Sequence, residues 1–260
     1  MRLLRRYLLF CLIAAGCVVA AVRGTEAEPS RGGGPALGSI LEAEAAARLL
    51  AILLDAGRGV INENQDLFDD PARSDKGFSP GVFEEQLDRA FHSRVGLLLH
   101  ELDSSRLPAR TKQLLRALVE ASKQVVAEAQ PDLNRAGVGY KGFIPAVFGT
   151  RVAGRFQEKT GVRLKQTALV PRNPANAPDV FEQAALGEFA QASYPREKVI
   201  TEIVAGTEAL RLMYPLYTTR RCLDCHGQPK GELDRTGHPK EGLRLGDNAG
   251  AISVVIPIQP

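Results

Sequence analysis

Cysteine is scarce in this chain of 260 residues: there are four, and two of them, Cys11 and Cys17, lie near the amino terminus. The body keeps only Cys222 and Cys225, so one internal disulfide at most can form and a cysteine-stapled scaffold is excluded. Net charge is scarce too. The formal excess is +3, but four arginines (Arg2, Arg5, Arg6, Arg23) and one acid (Glu26) precede residue 28, so a chain beginning at Glu28 carries 29 basic and 29 acidic side chains. Such a neutral body has no electrostatic footprint for a phosphate backbone, which argues against DNA or RNA as a partner. Histidine and methionine are few: beyond Met1 the chain holds His92, His100, His226, His238 and Met213. What remains is ordinary for a folded domain, with 44% hydrophobic and 24% charged residues.

The amino terminus has the grammar of an export signal. Met1 to Arg6 is basic, Tyr7 to Val22 is an uncharged apolar run of 16 residues, and Thr25-Glu26-Ala27 is a small-x-small cleavage site. The run is short against the roughly 20 residues of a spanning helix. Residues 1–27 are therefore read as a signal peptide, which places the folded part in the periplasm or otherwise outside the cytoplasm. Two alternatives tether the chain to the membrane: retention of this segment as an anchor, or lipidation of Cys17, whose Ala14-Ala15-Gly16-Cys17 context resembles a lipobox without its usual leucine. Residues 28–38, rich in proline and glycine, read as a flexible tether.

Residues 39–260 read as one domain with a helical part over about 39–135. Ser39-Ile40-Leu41-Glu42 has capping-box form, and the series Leu49, Leu53, Val60 and Leu50, Leu54, Ile61 predicts a helix over about 40–62. Asp66 to Pro80, with Asp69-Asp70-Pro71 and Lys76-Gly77, reads as turn-rich, and its acidic cluster lacks calcium-loop spacing and is given turn and capping duty. The apolar arc Phe83, Leu87, Phe91, Leu98, Leu102 predicts a second helix ending near Leu102. A third is expected from Pro108 to Ala129, stopped by Pro131, and a fourth from Pro145 to Lys159, closed by Gly161. A Lys-Gly-Phe-x-Pro-x-Val-Phe pattern occurs twice, at Lys76 to Phe83 and Lys141 to Phe148, as two similar helix entries. From about residue 136 the texture turns β-prone, with strands expected over 162–169, 199–204, 209–219 and 251–256 and a hairpin turn at Ala205-Gly206-Thr207. Asp179-Val180-Phe181-Glu182 opens a helix between the first two. Helices first and an antiparallel sheet afterwards make an α+β fold.

One motif carries chemistry. Cys222-Leu223-Asp224-Cys225-His226 matches the covalent attachment sequence of a c-type haem. Two thiols three residues apart on a tight turn can each form a thioether with one vinyl group, which brings His226 beneath the iron as an axial ligand. A dithiol oxidoreductase would need the pair at the start of a long helix, and glycines at 227 and 231 give none. Zinc held by Cys222, Cys225, His226 and His238 would strain a tetrahedron. A plain disulfide is the third alternative. For the opposite face of the iron the candidates are Met213, His92 and His238, with an open position as their rival.

Taken with Tyr214-Pro215-Leu216-Tyr217 before the motif and Gly246-Asp247 and Gly250 to Val254 after it, the chain resembles the Tll-type mono-haem c, PAS-like domain family. Arg172-Asn173-Pro174 with Asn176-Ala177-Pro178-Asp179 is similar to that family's Arg-Asn-Pro-x-Asn-x-Pro-Asp signature. The segment Asn64-Gln65, Asp69 to Pro71 and Asp75 to Phe78 resembles the extended form. The resemblance implies a PAS-like sheet with flanking helices over about 136–260, one covalently bound haem c on Cys222, Cys225 and His226, and a sensory role. It also implies that Arg172 and Asn173 lie by the cofactor, meeting a propionate or pinning their loop. Many relatives carry an axial cysteine ahead of the Arg-Asn-Pro loop. Residues 140–171 here contain none, so thiolate ligation from that segment is excluded.

The expectation that follows is an exported c-type haem protein that senses redox state or a diatomic gas. With no kinase, cyclase or methyl-accepting segment after the haem motif, it would signal through a partner protein. A mono-haem electron carrier is the alternative, and a haem enzyme such as a peroxidase, using His92 as distal acid-base group, is the third.

Overall fold

The computed structural model describes residues 35–204 and 206–259. The expected signal peptide, most of the tether and Cys17 lie outside these residues. Helix α1 (Leu37–Glu63) runs straight into α2 (Gln65–Phe68). After a turn come α3 (Pro80–Val95), a 3-10 segment (Leu99–Ser104), α4 (Ala109–Leu133) and α5 (Pro145–Thr160). Strand β1 (Arg163–Thr167), α6 (Val180–Phe189), β2 (Ile200–Val204) and β3 (Ala209–Tyr217) follow, then the one-turn α7 (Leu223–His226) and β4 (Asn248–Pro257). The fold is α+β, a helical half followed by a four-stranded antiparallel sheet of order β1-β4-β3-β2. Among the described residues no helix is long and apolar enough to cross a membrane.

Two helix entries and one exit follow from local chemistry. Pro80 and Pro145 sit in the first turns of α3 and α5, where the missing N–H costs nothing. Gly161 ends α5 in the left-handed conformation, as expected. Three boundaries need correction. The expected second helix does not reach Leu102: Gly96, at φ 71°, closes α3, and Leu98 and Leu102 belong to the following segment. Pro131 does not stop α4 but sits in its last turn. Ser39 does not cap α1, which starts two residues earlier, at Leu37, with no side-chain cap.

The two Lys-Gly-Phe segments build one aromatic cluster. Phe78, Phe83, Phe143 and Phe148 pack with Phe68 at centroid distances of 4.8–6.3 Å, mostly edge-on or tilted. The buried Lys76 ammonium is satisfied by the carbonyls of Asp70 and Arg73, and its own amide donates to Asn134 Oδ1 at 3.0 Å. These contacts anchor α2 and the turn after it, whose acids reach the site described below.

The sheet separates two apolar clusters because alternate residues of a strand point to opposite faces. The row Leu164, Val254, Leu212 is in register and packs against the helical half, with Leu210, Ile252 and Ile256 on the same face. The row Lys165, Ser253, Met213, Ile200 lies on the other face, where Met213 and Ala251 pack against Ala185, Leu186 and Phe189 of α6. Asp179 and Glu182 form the expected capping box at the start of α6. Gly250, at φ 126°, is required where β4 passes β1, since a Cβ there would stand 2.3 Å from the Thr167 carbonyl oxygen. Gly250→Ala is expected to destabilise the chain by about 2 kcal/mol, read as a lower denaturation midpoint at unchanged slope.

Candidate functional site

Strands β3 and β4 are paired along their length, yet 30 residues separate them, and the motif sits in that excursion. Its base is clipped by Thr218, whose amide donates to the Asp247 carbonyl at 2.9 Å and whose carbonyl accepts from Gly246 at 3.1 Å. The Thr218 hydroxyl donates to the Arg244 carbonyl at 2.5 Å. Within the loop the chain doubles back. Leu243 N–H donates to the His226 carbonyl at 2.8 Å, Gly231 N–H to the Lys240 carbonyl at 2.9 Å and Lys240 N–H to the Glu232 carbonyl at 2.8 Å, and Leu233 bridges Pro239.

Cys222 is helical in backbone and leads directly into α7. Residues three and four apart on a helix are neighbours, so Cys222, Cys225 and His226 present one face while Asp224 turns to solvent. Both thiols are free and half-buried. The Thr219 hydroxyl lies 3.2 Å from Cys222 Sγ. Burial, aided by the charge of Asp234, pushes the Cys225 thiol above its ordinary pKa. Gly227 closes α7 where a Cβ would stand 2.4 Å from the Leu223 carbonyl.

His226 is partly exposed, and its Nδ1 lies 2.7 Å from Glu241 Oε2. With Nδ1–H given to the carboxylate, the imidazole keeps its free lone pair on Nε2, the form required of a metal ligand. The donor set therefore fits a covalent haem c: two free thiols and one oriented imidazole on a single helical face. Among the described residues no group of three or more His, Cys, Asp or Glu side chains is arranged to hold a bare metal ion.

Arg172 stands at the centre of the surrounding network. Its Nε donates to Glu241 Oε1 at 2.6 Å and its Nη2 to Glu241 Oε2 at 2.9 Å, a bidentate fork. Nη1 donates to Asp234 Oδ2 at 2.6 Å, and Nη2 also reaches the Cys225 carbonyl at 2.8 Å. One guanidinium thus ties together the Arg172-to-Pro178 loop, the motif helix and the returning strand of the excursion. Burial alone would raise the pKa of Asp234, but the Thr236 hydroxyl, Arg172 and the amides of Thr236 and His238 outweigh it and hold the carboxyl well below the usual range. In Glu241, too, Arg172 and His226 overcome the effect of burial and hold the carboxyl low. Burial works against the charge of Arg172, yet its two carboxylates raise its pKa above the ordinary value.

A second set of ion pairs joins the excursion to the front half. Arg221 donates to Asp66 at 2.9 Å, Arg235 to Asp69 at 2.6 Å, and the other Asp69 oxygen accepts from the Lys141 amide at 3.0 Å. Asp70 and Asp75 accept from the amides of Ala72 and Gly77, the turn duty expected of them.

The other candidate residues fall in different places. Asn173 accepts from the Ala175 amide at 3.0 Å and caps the short turn Pro174–Asn176, with its side chain at the surface. Met213 is fully buried in the cluster under α6. His92 is exposed in the last turn of α3. His100 is exposed outside that helix, with Nδ1 2.7 Å from Asp88 Oδ2. His238 takes part by its backbone, its amide donating to Asp234 Oδ1 and its carbonyl accepting from the Asp234 amide, while its ring meets the Thr236 hydroxyl at 3.0 Å. Glu241 and Asp234 have no motif around them, and nothing in their sequence neighbourhood marks them as partners of His226 and Arg172.

A family model described as Tll0287-like matches residues 39–257. No curated protein matches the chain. Among solved structures, that of the cyanobacterial haem-protein Tll0287 is similar at 20% identity and a TM-score of 0.39, covering 59% of this chain and 99% of that one.

Proposed function

This chain belongs to the Tll0287-like family, and on that premise we propose that it is an exported protein that binds one haem c covalently through Cys222 and Cys225, with His226 as an axial ligand, and reports redox state or a small ligand to a partner protein. The observation that carries the reading is the motif's local geometry: two free thiols flank a turn whose histidine has its Nδ1 2.7 Å from the Glu241 carboxylate, which leaves Nε2 free to coordinate. A bound haem would supply a one-electron couple and an iron able to take a diatomic ligand. The chain's own residues supply the rest. Arg172 and Glu241 orient the imidazole, and the Asp66–Arg221 and Asp69–Arg235 pairs hold the motif loop against the helical half. The leader over residues 1–27 would deliver the chain to the compartment where such attachment occurs.

A second reading, electron transfer, is favoured by the partial exposure of His226 and both cysteines on a surface loop, which would leave a haem edge accessible to a docking partner. Full-length protein produced with the haem c maturation machinery separates the readings. Haem is expected to stay with the chain after denaturation, and its absence would overturn the proposal. Ready carbon monoxide binding by the reduced protein supports ligand sensing. A low-spin iron indifferent to carbon monoxide supports the redox readings.

A further inference from the structure

We propose that Glu241 is a positioning residue for the haem-ligating imidazole: held in place by the Arg172 fork, its carboxylate accepts the Nδ1 proton of His226, aims Nε2 at the iron and strengthens it as a donor. The inference rests on the reading of Cys222 to His226 as a haem c site and adds to it the residue that sets the strength of the axial ligand. The Nδ1 to Oε2 distance of 2.7 Å is that of a charge-assisted hydrogen bond. A carboxylate acceptor pulls the imidazole toward imidazolate, and a stronger donor stabilises ferric over ferrous iron. Arg172 acts in two opposed ways. It fixes the carboxylate in position by donating to both oxygens, and it neutralises part of the charge that would otherwise fall on the imidazole. His100 shows what the pairing lacks elsewhere in the chain: its Asp88 partner is at the same distance, but the ring is largely exposed and has no thiol pair beside it.

A merely structural role for Glu241, tying the returning segment of the loop to the motif helix, would be kept in part by glutamine, which has the same length and whose carbonyl oxygen can still accept from His226 and one Arg172 nitrogen, although its amide nitrogen accepts from neither. Charge and acceptor strength would not. The test is the midpoint potential of holoprotein from full-length Glu241→Gln, Glu241→Asp and Glu232→Gln, the last removing an exposed carboxylate of the same loop. E241Q is expected to shift the potential to more positive values by several times the shift of E232Q, with E241D returning most of the way to the parent. An E241Q shift no larger than that of E232Q overturns the inference, as does an E241D shift equal to that of E241Q. Should E241Q fail to mature, Glu241→Ala gives the reading instead: loss of the Nδ1 acceptor is expected to move the potential to more positive values by several times the shift of E232Q, and an unmoved value overturns the inference. Absence of covalent haem from the parent protein would instead sink the functional reading, so the two failures are distinguishable.

Discussion

Replacing both Cys222 and Cys225 with alanine is expected to abolish haem that survives denaturation, from one equivalent per chain to none, while the polypeptide still folds. The thiols are the covalent attachment points in the proposed site, and no other cysteine lies in the body of the chain to replace them. Both are only half-buried on a surface turn, and neither belongs to the apolar clusters that hold the helices and the sheet. Their loss should therefore cost about 1 kcal/mol or less of chain stability. Single variants are expected to keep one thioether and a shifted absorption band. The check is haem-linked peroxidase staining after denaturing electrophoresis, with circular dichroism as the folding control. Retention of stain in the double variant would mean that the haem is attached elsewhere.

Arg172→Met is expected to cost about 3–4 kcal/mol in denaturant unfolding, because breaking a buried pair leaves an uncompensated charge. The Asp234 side chain has no solvent-exposed surface, and among the described residues Arg172 is its only cation partner, whereas Glu241 is about one-third exposed and contributes less. The variant also changes how stability responds to acid. Both carboxyls have folded-state pKa values below their ordinary ones, so the stability they contribute is fully present above about pH 4–4.5 and is lost as pH falls below that range toward the folded values. With methionine at 172 the depression weakens, and the slope of stability against pH below about 4 should flatten. Parallel urea titrations at pH 7 and pH 3 read both effects. An unchanged slope would mean that the Thr236 hydroxyl and the backbone amides of Thr236 and His238, rather than Arg172, hold Asp234 ionised.

The sequence by itself determined what is local. The thiol and imidazole spacing of Cys222, Cys225 and His226, the proline entries at 80 and 145, the capping box at Asp179 and the β-prone runs that form β3 and β4 all act within about one helical turn or one strand, where geometry is set by neighbours in the chain. Even so, the exits of α3 and α4 did not follow from apolar periodicity, because a left-handed Gly96 and a tolerated Pro131 override it. Only the tertiary structure decided which groups meet across the chain. Arg172 finds Asp234 and Glu241 from 62 and 69 residues away, and Arg235 finds Asp69 from 166 away. These pairings depend on β4 returning beside β3 so that the excursion folds onto its own motif helix. A lone carboxylate such as Glu241 carries no period or spacing that could announce its partner, which is fixed only when packing brings the two strands of the loop together.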